Sequence, residues 1–148
     1  MAQTTGIINS SNIRVFLGTV NDSEVVLDHV TECSISMSTD MRDITTKTSG
    51  GWRTLLPGLK SASLSVSGLF AEDATNGYNE LATHQLSGTK VFVLYTNVDG
   101  SGAANTGDEQ FNFEGYITSL EQTAGVEDNV GFSMTIEITG TVVREVIA

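Results

Sequence analysis

Apolar and small polar side chains alternate with a period of two along most of this chain, and little except strands with one buried and one polar face accommodates that pattern. From His29 to Ser38, Thr31, Cys33, Ile35 and Met37 fall on one side and Glu32, Ser34, Ser36 and Ser38 on the other. Leu59 to Phe70 repeats the design, with Ala62, Leu64, Val66 and Gly68 set against Ser61, Ser63, Ser65 and Ser67. The longest alternation, Val130, Phe132, Met134, Ile136 and Ile138, lies in a strand from Asn129 to Gly140. It pairs as a long-armed hairpin with Gln110 to Gln122. Ile13 to Gly18 reads as a first strand and Thr141 to Ile147 as a short last one. In Thr89 to Thr96 the apolar residues are consecutive, so this central strand is buried on both faces or meets a partner on one.

One helix interrupts the strands. Tyr78, Leu81, Ala82 and Leu86 recur at helical spacing within Asp73 to Ser87, with Asp73, Thr75 or Asn76 as candidate caps and Gly88 as the stop. The chain of 148 residues is long enough for one sizeable core and short for two, so residues 1–148 form a single domain. Residues 1–12 form a small, polar, flexible arm, Asn21-Asp22-Ser23 forms a turn, and Asn97 to Asp108 forms a mobile loop. Neither the start nor any apolar run suits a membrane span or an export signal.

Thr39 to Gly58 reads as a long inter-strand loop of about twenty residues, and compact domains seldom keep such a connection without a use for it. It ends in Trp52, Leu55 and Leu56, which a solvent-facing loop would waste. Either the segment folds back on its own core or it packs on a neighbouring subunit.

Eighteen acidic against seven basic residues give a net charge of −11 and a pI near 4.3, and no run of Lys or Arg occurs to grip phosphates. Catalytic constellations are missing from the sequence. Gly88-Thr89-Lys90 is not a phosphate loop, there is no nucleophile elbow, and His29 and His84 have no companions for a zinc site. Asp99-Gly-Ser-Gly-Ala103 lacks the ligands of a calcium loop, and the glycosylation patterns at Asn9 and Asn21 carry no weight without an export signal. Cys33 is the only cysteine, which its place in an alternation marks as a buried thiol. No cofactor, metal or catalytic residue is expected.

The stretch from Asp43 through Gly51-Trp52, Pro57-Gly58 and the Ser-alternating strand to Gly68-Leu69-Phe70 resembles the major tail protein family of long-tailed bacteriophages. The resemblance implies a β-sandwich or partial barrel with one flanking α-helix, and a structural protein of the virion tail assembled in the host cytoplasm. Copies would form hexameric rings stacked into a tube that conducts DNA without binding it specifically. Partners would be further copies of the chain, within and between rings, with tape-measure, tail terminator and tail-tip proteins beside them. The inter-subunit loop would use Asp40, Arg42, Asp43, Lys47, Trp52, Arg53, Leu55 and Leu56. A lumen of hydroxyls and carboxylates would neither bind nor stall a polyanion. Its candidates are Ser34, Ser36, Ser61, Ser63, Ser65, Glu114 and Glu137. Competing readings are the inner tube of a contractile secretion or injection system, a monomeric β-sandwich binding or adhesion module, and, weakest, a small hydrolase. One Trp and three Tyr are few for a carbohydrate-binding groove.

Overall fold

The computed structural model describes residues 5–8, 10–20, 24–98 and 106–147. Its strands are β1 (Ile13–Gly18), β2 (Val25–Val26), β3 (Val30–Asp43), β4 (Leu55–Leu69), β5 (Val91–Asn97), β6 (Glu109–Thr123) and β7 (Gly131–Val146), with one helix, α1 (Tyr78–Ser87), between β4 and β5. They make one antiparallel sheet in the order β2-β1-β5-β6-β7-β4-β3. On a flat sheet β3 would lie about 19 Å from β5, at the usual strand spacing. Yet Cys33 of β3 lines one cleft with Val15 of β1 and Tyr95 of β5. The sheet therefore curls strongly without closing, which makes it the partial barrel among the expected architectures.

The concave side holds the core. Val15 and Leu17 of β1, Val91 and Val93 of β5, Phe113 and Ile117 of β6, Phe132, Met134 and Ile136 of β7, and Leu64 and Val66 of β4 cluster there with Leu81 of α1. Tyr78 holds the helix start in place by meeting Phe70 edge-on, with ring centroids 5.5 Å apart. Cys33 packs at the margin of this core and is half-buried rather than fully buried, because the curled sheet leaves a cleft between β1 and β3.

Three boundaries differ from the sequence reading. The helix starts at Tyr78, because Asn76 is taken: its buried amide donates to the carbonyls of Leu17 (3.2 Å), Val25 (2.8 Å) and Val26 (3.4 Å), tying β1 and β2 to the helix approach. Gly77 is the cap and Gly88 closes the helix with φ 69°, while Leu86, expected on the buried stripe, is 87% exposed. The last two expected strands are one, β7, carried through a kink at Gly140 with φ 80°. Both ends of the expected Thr39–Gly58 loop are strand, Thr39 to Asp43 in β3 and Leu55 to Gly58 in β4, with a bulge between Thr39 and Met41 absorbing its irregularity. Pro57 is tolerated there because β4 has lost β7 as a neighbour: their ladder ends at the pair Ser63 and Glu137. Beyond that point the β3–β4 hairpin projects alone to a connection of residues 44–54.

Residues 1–4 and 9 of the expected arm, with its Asn9 pattern, the turn Asn21-Asp22-Ser23 and residues 99–105, which include the whole Asp99–Ala103 stretch, lie outside the described residues. The ends of the expected 97–108 loop are buried, and Asn97 Nδ2 donates to Asp108 Oδ2 at 2.8 Å.

Candidate functional site

The convex face of β3, β4, β7 and β6 is built from the polar halves of their alternations. Register sets them in four-residue rows. Glu32, Ser67, Ser133 and Glu121 form one; Ser34, Ser65, Thr135 and Ser119 the next; Ser36, Ser63, Glu137 and Tyr116 the third. Core rows interleave with them on the other side: Cys33, Val66, Met134 and Leu120, then Ile35, Leu64, Ile136 and Ile117. Past the point where β7 leaves, Ser38 and Ser61 share a hydroxyl hydrogen bond of 2.8 Å. Glu114, two residues before Tyr116 and opposite Thr139, completes the surface. Thus Ser34, Ser36, Ser61, Ser63, Ser65, Glu114 and Glu137, scattered along the sequence, are brought onto one face.

No Lys or Arg stands in those three rows. The nearest cation, Lys90, is held by Glu114 at 3.3 Å and lies 5.5 Å over the Phe92 ring. Tyr116 is the one aromatic in the rows. It was missed as a site residue, although the alternation from Glu114 already assigns it to the polar side. Glu32, Ser67, Ser133 and Thr135 likewise lie on the polar side of their own alternations, whereas Ser119 and Glu121 were missed because the bulge after Ile117 shifts the phase of β6.

Both margins of this face are open among the described residues. β3 has a partner only in β4, so its outer edge is unpaired along fourteen residues. On β6, the partner β5 covers only Gln110 to Gly115, which leaves the same edge of Tyr116 to Thr123 free. Unpaired main-chain groups of this length are templates for another strand.

The projecting hairpin carries the other group of site residues. Its tip is organised within one copy by its own hydrogen bonds. Thr54 N donates to Thr45 Oγ1 (2.8 Å), Ile44 N to Thr54 O (2.9 Å) and Thr46 N to Ser49 Oγ (3.1 Å). Gly50 and Gly51, at φ 67° and 84°, turn the chain where a side chain would strain it. Thr45, by its side chain and then its amide, with Arg53 Nε at 3.3 Å adding to them, holds the Asp43 carboxyl below its ordinary range. Trp52 is 80% exposed, and Met41, Ile44, Leu55, Leu56 and Leu59 are exposed beside it. Asp40, Arg42 and Lys47 are exposed on the same hairpin. None of this apolar surface meets the chain's own core.

Elsewhere the chemistry is quiet. Burial raises the Cys33 thiol above its ordinary value, so it is a poor nucleophile. Among the described residues no three His, Cys, Asp or Glu side chains gather as a metal site, and no helix is long and apolar enough to cross a membrane.

The sequence profile of the family described as phage tail tube protein matches residues 13–144. No curated protein is significantly similar to the chain in sequence. Among solved structures, the chain resembles the tail of an empty gene transfer agent particle, refined with C6 symmetry, at a TM-score of 0.77 and 19% identity over 96% of this chain and 100% of that one. It resembles the SPP1 tail tube at 0.74 and 16%, over 96% and 81%. A tube–sheath complex of an extracellular contractile injection system follows at 0.69 and 14%, over 95% and 93%. At such identities these likenesses concern the fold.

Proposed function

As this chain belongs to the phage tail tube protein family, and is thus a structural protein of the virion tail, we propose that six copies close into a ring whose stacked repeats form the conduit for the genome. The observation that carries this reading is the polar face lying between two free strand edges. Pairing the β3 edge of one copy with the Tyr116–Thr123 edge of the next joins four strands per copy into a continuous wall and removes both edges. Twenty-four strands at about 4.8 Å give a circumference of roughly 115 Å, hence a backbone diameter of about 37 Å before strand tilt widens it. With side chains subtracted, that bore accommodates a duplex. The sixfold order is carried over from the gene transfer agent tail.

The polar face then lines the bore. Ser and Thr hydroxyls offer a passing phosphate no charge to hold it, and Glu32, Glu121 and Glu137 repel it. At physiological salt that field reaches only about 8 Å, so residues on this face matter and the rest of the net charge does not. The hairpin tip, with Trp52, Leu55 and Leu56 as anchors and Asp40, Arg42, Asp43, Lys47 and Arg53 around them, packs on the next ring. Tape-measure, terminator and tail-tip proteins occupy or finish the tube, which acts without catalysis. The family match favours a phage tube over that of an injection system.

Negative-stain electron microscopy of the purified protein at rising concentration tests the polymer: rings and hollow tubes of constant diameter are expected. Proline at Ser34 or at Ile35 then tests the edge. Along a strand, successive N–H groups point to opposite sides, so one substitution removes a ladder bond to β4 and the other only a donor on the free edge. The variant that keeps its fold is expected to form no rings. If it forms them normally, ring closure does not use β3.

A further inference from the structure

The chain's cations are unevenly placed. Arg42, Lys47, Arg53 and Lys60 lie within residues 40–60 against only Asp40 and Asp43, so the other 127 residues hold three cations and sixteen carboxylates. The projecting hairpin is positive on a strongly acidic chain.

β4 fixes what lies at the opposite end. Its fifteen residues run about 45 Å from Leu55 beside the tip to Leu69, which is laddered to Gly131 at the end of the β6–β7 turn. Glu121, Glu127 and Asp128 are exposed there, and Glu72 and Asp73 follow Phe70, whose amide bonds Val130 O at 2.8 Å. Residues 61–73 and 121–131 contain no Lys or Arg. At the crest of the turn Val126 is 95% exposed. One end of the molecule is thus an apolar centre with an excess of cations, Arg53 being paired with Asp43, and the other an exposed apolar residue among carboxylates without a Lys or Arg.

We propose that the β6–β7 turn end is the seat for the β3–β4 tip of a second copy. Trp52 lies over the Val126 crest while tip cations face the surrounding carboxylates. The inference rests on the tube reading and supplies the half of the stacking contact that reading leaves open. Because the two surfaces differ and sit at opposite ends, the contact is heterologous and extends without closing. It is also the salt-sensitive step, whereas ring closure through main-chain edges is not.

The test is a charge swap, read by sedimentation and negative stain across sodium chloride concentrations. Arg42→Glu/Lys47→Glu reverses the tip, Glu72→Lys/Glu127→Lys reverses the seat, and a third protein carries both pairs. All four positions are exposed, and circular dichroism checks that the fold is kept. Each reversal is expected to leave rings intact and to raise the concentration needed for tubes by about tenfold, in line with a few exposed charge pairs per contact. The combined protein is expected to recover most of that loss, and wild-type tubes to shorten as salt rises. Tubes that elongate normally after either reversal, or a combined protein no better than its parents, would overturn the inference and leave the tube reading standing. If wild type makes neither rings nor tubes, the tube reading fails and takes this inference with it.

Discussion

The two halves of the β3–β4 hairpin are written in nearly the same alphabet and meet opposite fates. In the near half, Leu64 and Val66 are sealed under β1, β5 and α1, with 0% and 1% of their surfaces exposed. In the far half Leu59, on β4, is 76% exposed, and Trp52, in the connection at the tip, 80%. Propensity does not separate them, since both halves are laddered, each with one register shift. What differs is the surroundings: the near half has β1, β5 and α1 opposite it and β7 beside it, whereas the residues of the far half stand outside the core cluster and past the end of the β7 ladder at Glu137. Alternation declares that a face exists; only a second layer decides whether it is buried.

If that comparison is right, Leu64→Ala costs about 3 kcal/mol by chemical denaturation, the usual loss for a fully buried leucine. Trp52→Ala, a larger truncation, changes monomer stability by less than about 0.5 kcal/mol while reducing tube yield in the electron microscope. A Trp52→Ala monomer that unfolds as readily as Leu64→Ala would break the distinction. A smaller effect sharpens it on the near side. Asn76→Ala strips the donor from the carbonyls of Leu17, Val25 and Val26 and is expected to cost about 2 kcal/mol. A change within a few tenths of wild type would mean that β2 is dispensable. The smallest effect concerns the tip. Asp43 sits below its ordinary value of 3.8 because Thr45 and Arg53 favour its ionised form. The contribution of Asp43 to tip order therefore persists through neutral pH and is lost only as pH falls through the lowered value. The Thr45 amide resonance followed by NMR from pH 7 to about 2 should move only below about pH 4, and Asp43→Asn should abolish the movement.

Much of the near half was legible in the sequence, because period two and burial coincide there; outside the hairpin, Ile13 to Gly18 and the continuous apolar run Val91 to Tyr95 also agree with the structure. The seven candidate lumen residues proved to share a face because each was chosen by its phase within a strand, and register then aligned the phases. What escaped depends on tertiary neighbours. Asn76 looked like a helix cap, and nothing local signals that β1 and β2 need its amide more. Thr39 to Gly58 looked like loop, since Asp, Pro and Gly break strands that have two neighbours and are tolerated in a hairpin that has one. Val25–Val26 is too short for any period to show.

The free edges of β3 and β6 also bear on kinship. A main-chain ladder tests whether a partner is extended, not which side chains it carries. If the edges join copies, subunits whose sequences have drifted far apart retain mutually acceptable rims, and two related tubes in one host could be built into mixed rings. Telling self from cousin would then fall to the hairpin and its seat, where substitutions change fit, and divergence between lineages should concentrate there.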